Sequence, residues 1–354
     1  MLCNSQIQDK LVDHLDLEKP IIAVTMGDPA GSGPEIVLKA LRKEGLLSKA
    51  KFIIIGDLNI FRKASSIINA KELKLIRITN PDEAVYAPET VSVVDLGNVD
   101  LSRLVYGKPS DLGGRAAYEC IVRSVSYAKE GYVHAIVTSP ISKESLNLAG
   151  HNYPGHTELL AELTNTRDFR MMLVARHLRV VHVTTHVSLR DAVDLIKREN
   201  VFRTIELVHE SMMDLFGISQ PKIAVAGLNP HAGEGGLFGD EETKEIRPAI
   251  EDACTKGINA LGPYPPDTIF YRAYYNKEFD VVVAMYHDEG HIAMKMVGFM
   301  EGVNITLGLP IIRVSPDHGT VWGKAGKGTA DESATFEAMK LAVELAVKKS
   351  GINT

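Results

Sequence analysis

Three histidines stand far apart in the chain, each in a polar or glycine-rich setting that a packed core would not choose. His186 follows Val183-Thr184-Thr185, His231 lies in Asn229-Pro230-His231-Ala232-Gly233-Glu234, and His287 lies in Tyr286-His287-Asp288-Glu289-Gly290-His291. An apolar, β-branched run ends at or a few residues before each of them. Open α/β sheets collect their sites at such strand ends. Three neutral imidazoles that leave one coordination position open are a typical set for a catalytic divalent metal. Any one of these histidines is as readily a hydrogen-bonded structural group; the three together predict one metal site. An all-nitrogen set suits zinc and also cobalt, nickel, manganese or iron, and the sequence separates neither these nor magnesium. Asp288 and Glu289 are at hand to orient His287, and His291, four residues on, shares its face if the segment is helical.

The elements that must position these groups alternate from Pro20 onward as strand, loop, helix. Apolar runs at 21–25, 52–55, 91–94, 135–137, 179–183, 222–226, 281–284 and 310–314 read as buried strands. Helices are predicted over 34–41, 113–129, 159–163, 202–216, 241–256 and 333–349, with Pro34 at a first helical position, Thr157 as an N-cap and Ser188 as a second cap. Continuous apolar strands between amphipathic helices predict a mostly parallel sheet covered on both faces. Residues 1–19 read as a leader without the basic-then-apolar pattern of a secretory signal.

Further polar groups stand out. Met26-Gly-Asp-Pro-Ala-Gly-Ser-Gly-Pro-Glu35 joins a strand to a helix and offers free N–H groups to an anion, or is a tight turn with no ligand. It is neither the dinucleotide fingerprint nor a phosphate loop. His156 and Thr157 stand at a helix start, where a carboxylate or phosphate would be well placed. Lys295 and Arg313 sit in apolar runs with Asn304 between them, and a buried cation needs a partner: a substrate anion, or an internal carboxylate. Asp317-His318-Gly319-Thr320 and the loop 325–331, ending on Asp331, read either as a nucleotide wrap or as ordinary surface loops.

At 354 residues the chain is expected to form two domains. A net charge of −6 without a dense Lys/Arg stripe argues against nucleic acid as a partner. No apolar run has membrane-spanning length. Cys3, Cys120 and Cys254 have no pairable spacing, which fits a reduced cytoplasm.

On the stretches Gly-Asp-Pro-Ala-Gly-Ser-Gly-Pro-Glu, Gly-His-Thr-Glu, Asn-Pro-His-Ala-Gly-Glu, Tyr-His-Asp-Glu-Gly, Gly-Val-Asn-Ile-Thr-Leu-Gly-Leu-Pro and Asp-His-Gly-Thr, the chain resembles the 4-hydroxythreonine-4-phosphate dehydrogenase family from about Pro20 to its last helix. The resemblance implies a two-domain α/β/α fold similar to isocitrate and isopropylmalate dehydrogenases, with the active site in the interdomain cleft. It places a first domain at 20–140 plus 305–354 and a second at 141–304. It implies metal ligands at His186, His231 and His287, shared between the subunits of a homodimer, and substrate contacts at His156, Thr157, Lys295, Asn304 and Arg313. NAD would be bound by His318, Gly319, Thr320 and Asp331. The implied reaction passes a hydride from a secondary alcohol of a small phosphorylated acid to NAD, then releases carbon dioxide. Lys295, Asp267 and Asp288 are the candidates for catalytic groups.

One stretch departs from the family's vitamin B6 enzymes. They usually carry Tyr-His-Asp-Gln-Gly-Leu-Pro where this chain has Tyr286-His-Asp-Glu-Gly-His-Ile292. That run is closer to the branch acting on 4-phospho-D-threonate or 4-phospho-D-erythronate. His291 then changes polarity near the substrate's C2 group, unless it is a surface histidine of no consequence. A metal-binding regulatory module on the same fold is the alternative of another class, and NAD reduction separates the two.

Overall fold

The computed structural model describes residues 19–352, so of the leader only Lys19 is included. In chain order the elements are β1 (Ile21–Thr25), α1 (Gly33–Leu41), β2 (Lys51–Gly56), α2 (Leu58–Ile67), β3 (Lys74–Ile78), β4 (Thr90–Asp95), α3 (Asp111–Lys129), β5 (Ala135–Val137), α4 (Lys143–Leu148) and α5 (His156–Leu163). Then follow β6 (Arg170–Ala175), β7 (Leu178–His182), α6 (Leu189–Leu195), α7 (Arg198–Asp214), β8 (Ile223–Ala226), α8 (Arg247–Thr255), β9 (Ala260–Tyr264), α9 (Pro266–Tyr274), β10 (Val281–Ala284), α10 (His287–Gly298), β11 (Val303–Leu307), β12 (Ile312–Pro316) and α11 (Ser333–Ser350).

The chain forms two compact α/β units, one of residues 19–167 with 309–352 and one of 168–308. Residues 141–167, assigned from sequence to the second domain, group with the first because α4 packs on α3. Residues 305–308 group with the second because β11 pairs with β6 along its whole length.

In the first unit the strands run β3-β4-β2-β1-β5-β12, all parallel. Every residue of β1 and β5 is buried, as helices on both faces require. The second unit has β11-β6-β7-β10-β8-β9. Its β7, β10, β8 and β9 are parallel, but β11, β6 and β7 are antiparallel, so this sheet is mixed. The β6–β7 hairpin escaped the sequence reading. Its two-residue turn, Arg176-His177, lacks the Asn-Gly signal, and Arg176 takes the left-handed conformation at φ 55°. Leu173, Val180, Ala224, Ile269, Val282 and Met294 fill one cluster of the second unit's core.

Candidate functional site

Parallel pairing of β7 with β10 puts His182 opposite Ala284, and the chains leave the sheet side by side. Val183 N–H donates to Ala284 C=O at 2.9 Å, and Thr184 donates to Met285 C=O through both its N–H (3.1 Å) and its hydroxyl (2.9 Å). This two-chain extension delivers His186 and His287 together, with ring centroids 5.8 Å apart. A cavity of about 250 Å³ opens there, lined by Thr184, Thr185, His186, Tyr286, His287 and Asp288. His186 itself has φ 35°, a backbone state that costs a non-glycine residue about 1–2 kcal/mol and is characteristic of functional positions.

His287 opens α10. Its Nδ1–H donates to Asp288 Oδ1 at 2.7 Å, which fixes the tautomer and leaves Nε2 as the lone-pair nitrogen. His291 lies beneath it: the rings stack at 3.6 Å and 12°, and His291 Nδ1 donates to the His287 carbonyl at 3.0 Å. His291 is 7% exposed, so it is not a surface histidine. His182 lies 4.8 Å from His291 and is fully buried; burial, then the neighbouring His291 and His287, pull its pKa down to about 3, so the ring is neutral. Neither His182 ring nitrogen has a hydrogen-bond partner of good geometry. Burial raises the Glu289 carboxyl to about 8, against the pull of the Met285 and Tyr286 amides.

Gly290 permits this close approach of α10 to β7. A Cβ there would lie 2.3 Å from His182 Nε2 and 2.7 Å from Val180 Cγ1. Gly290→Ala is therefore expected to lower stability by about 1–3 kcal/mol, read by thermal or denaturant unfolding; an unchanged midpoint would contradict the packing described.

His231 lies on a separate loop, exposed, in a left-handed turn that runs from His231 to Gly235. Among the described residues no group of three or more His, Cys, Asp or Glu side chains is close enough to hold a metal. One chain thus brings together two of the three expected ligands, and not the third.

The first unit holds a second polar cluster. Arg313, on β12, is 1% exposed and donates to Thr138 Oγ1 through Nε (3.0 Å) and an Nη (2.7 Å). Burial draws its pKa down to about 9 and the Glu158 carboxylate opposes this, so the guanidinium stays charged at neutral pH. Burial, and then Arg313, hold His156 well below the usual histidine range, against a backbone hydrogen bond at Ser139. His156 Nε2 and Ser139 Oγ are buried without hydrogen-bond partners. A charged guanidinium near unpartnered polar atoms suits an anionic ligand. Thr157 occupies the first turn of α5 and is not its cap; Gly155 is. Thr138 and Ser139 were missed as site residues, although a hydroxyl pair directly after a buried strand is the available signal.

Other expected positions fall differently. Lys295 is exposed on α10, with Nζ 5.3 Å from the Phe299 ring centroid. The burial argument fails for it, because its apolar neighbour Met296 is itself 83% exposed. Asn304 is half-buried on β11, with Oδ1 buried and unpartnered. Asp267 is exposed in the first turn of α9. The Gly-Asp-Pro loop is a packed turn: Ser32 donates to Thr320 C=O through N–H and hydroxyl, both at 3.0 Å. Glu35 accepts the Gly326 and Gly328 amides at 2.6 Å each. The start of α1 therefore anchors the 320–330 loops. His318 lies half-buried on them beside exposed Gly319, its Nε2 buried and unpartnered, and Asp331 accepts the Ser333 N–H at 2.8 Å at the start of α11. No described helix is long and apolar enough to cross a membrane.

Comparison with known proteins bears on most of the chain. It is 48% identical over 328 residues to D-threonate 4-phosphate dehydrogenase of Pectobacterium atrosepticum, covering 92% of this chain and 99% of the relative. It is 46% identical over 330 residues to the enzyme of that name from Salmonella typhimurium, covering 93% and 100%. The crystal structure of 4-hydroxythreonine-4-phosphate dehydrogenase from Klebsiella pneumoniae superposes with a TM-score of 0.86 at 43% identity, covering 94% of this chain and 99% of that one. Residues 48–342 match the family described as pyridoxal phosphate biosynthetic protein PdxA, and the chain belongs to that family.

Proposed function

We propose that the protein is an NAD-dependent, divalent-metal-dependent dehydrogenase that oxidises and decarboxylates a 4-phosphorylated 3-hydroxy four-carbon acid, with 4-phospho-D-threonate or 4-phospho-D-erythronate preferred. The observation that carries this reading is the pair His186 and His287 on adjoining strand extensions, open to a cavity, with His287 held in one tautomer by Asp288. The relatives' names support the substrate class, and the Glu289-to-His291 run supports the D-threonate branch.

The residues present fit a metal ion: two imidazole nitrogen donors and a carboxylate behind one of them. His186 and His287 would hold it through one chain, with His231 of a second copy completing the set. A metal there would supply Lewis-acid stabilisation of negative charge on substrate oxygen, and a nicotinamide would supply a hydride acceptor. A second copy is also favoured by an exposed apolar stripe that runs from Ile292 and Met296 on α10, the helix of His287, to Phe299 and Met300 just beyond its end. Arg313, His156 and Thr157 would bind one anionic end of the acid, and Lys295 and Asn304 would contact it elsewhere. Asp288 is committed to His287, which leaves Lys295 and Asp267 to carry protons.

NAD is preferred over NADP in this reading. Asp331 and Glu332 stand on the loop assigned to adenosine, and a 2′-phosphate needs an Arg or Lys fork. Nearby Lys327 is engaged with Gly323 C=O at 2.7 Å, and Lys43 with Glu332 at 3.3 Å. Catalytic efficiency is expected to be higher with NAD; equal efficiency with NADP would show that the lysines dominate.

The test of the class is nicotinamide absorbance with the phosphorylated four-carbon acids, metal and each nucleotide. Reduction of NAD supports a dehydrogenase. Metal binding without any nucleotide reduction would instead assign a binding module.

A further inference from the structure

The loop that carries His231 is the most strained segment described. His231, Ala232, Gly233, Glu234 and Gly235 all have positive φ, with φ/ψ of 54°/28° at His231 and 52°/45° at Ala232. Three of the five are not glycine, and the Cβ of each crowds the following carbonyl oxygen in this state. An exposed loop would relax unless something held it.

What holds it is Glu242, 1% exposed. Its Oε1 accepts the N–H of Leu228 at 2.8 Å and of Asn229 at 2.7 Å, and its Oε2 accepts the Asn229 side-chain amide at 3.0 Å. Asn229 C=O in turn accepts the Ala232 N–H at 3.0 Å. The fit is tight: a Cβ on Gly233 would lie 2.7 Å from Glu242 Oε2. Glu242 also opens a π-helical turn, Glu242–Ile246, ahead of α8, where the sequence pattern predicts unbroken α-helix. Such turns recur at functional sites.

We propose that Glu242 is a positioning residue: it clamps the left-handed turn and so sets the direction in which His231 is presented. The clamp rests on the metal reading only for its purpose; the geometry of the loop stands apart from it.

The test is Glu242→Gln in the full chain. The carboxamide keeps the volume but turns an N–H₂ group toward donors that need an acceptor. Two measurements are made without turnover: amide hydrogen exchange across residues 227–236, and Co²⁺ affinity by equilibrium dialysis. The expected result is exchange at least about 10-fold faster in that segment and Co²⁺ affinity reduced about 10-fold or more, on the scale of losing an outer partner of a ligand, in a protein that still unfolds cooperatively. Wild-type exchange in the segment, or unchanged Co²⁺ affinity in a variant that is merely less stable, would overturn the proposal. If the parent protein binds no Co²⁺, the metal reading falls, and the exchange measurement alone decides the clamp. Should Glu242→Gln fail to fold, Ala232→Gly answers the same question. Removing the strain should leave the clamp in place, with exchange near Leu228 and Asn229 unchanged; loss of protection there would show that Glu242 does not hold the loop.

Discussion

His287→Ala is expected to remove measurable turnover and to lower metal affinity by more than about 100-fold. Losing even an outer partner of a metal-bound histidine typically costs 10–100-fold, and this variant deletes a proposed ligand itself. The variant also leaves His291 without its stacking partner and Asp288 without its donor. Asp288→Asn separates the two effects, because it keeps the imidazole but weakens its orientation, and should fall in the 10–100-fold range. Metal content after dialysis checks both. Full occupancy in His287→Ala would end the assignment of this cluster as a metal site.

Arg313→Ala is expected to lower catalytic efficiency by roughly one to two decades, corresponding to about 1.5–3 kcal/mol for one lost charge-assisted contact. Arg313 is fully buried and anchored on Thr138, so removing it also leaves Thr138 and Glu158 without their cation. A loss of stability is therefore expected alongside. The kinetic signature distinguishes the roles: a ligand contact lowers discrimination between phosphorylated and unphosphorylated acids if phosphate is the partner. An Arg313→Ala variant with wild-type kinetics would mean that the guanidinium serves only its protein partners.

The strands that carry the site were legible where burial is two-sided. Ile21–Thr25, Ala135–Val137 and Val281–Ala284 coincide with β1, β5 and β10, because continuous apolar runs permit no other placement. Strands with one wetter edge were not. The sequence reading missed β3 and β9, whose residues are mostly half-buried or exposed. It also missed β6 and β11, which pair antiparallel and displace the unit boundary.

The histidines were legible as chemistry but not as geometry. Sequence spacing put His287 and His291 on one face, and they stack. It gave no sign that His182, read as part of a strand, lies under them. Lys295 and Arg313 looked alike in sequence, both cations in apolar runs. Only Arg313 is buried, since a strand in a covered sheet has no wet face, whereas α10 exposes Lys295 together with Met296. Glu242 was invisible for another reason. A glutamate inside an apparent helix signals nothing until the loop it clamps is placed beside it.

The proposed substrate branch is decided by the ratio of catalytic efficiencies for 4-phospho-D-threonate and 4-phosphohydroxy-L-threonine. The two acids differ at C2 in a hydroxyl against an ammonium, and a buried imidazole beneath the His287 ring favours the hydroxyl side of that choice. With NAD and Co²⁺ in one assay, the protein is expected to turn over 4-phospho-D-threonate faster, and His291→Leu to narrow the ratio. Faster turnover of the amino acid, unaffected by His291→Leu, would remove His291 from the site and place the chain with the enzymes of vitamin B6 synthesis.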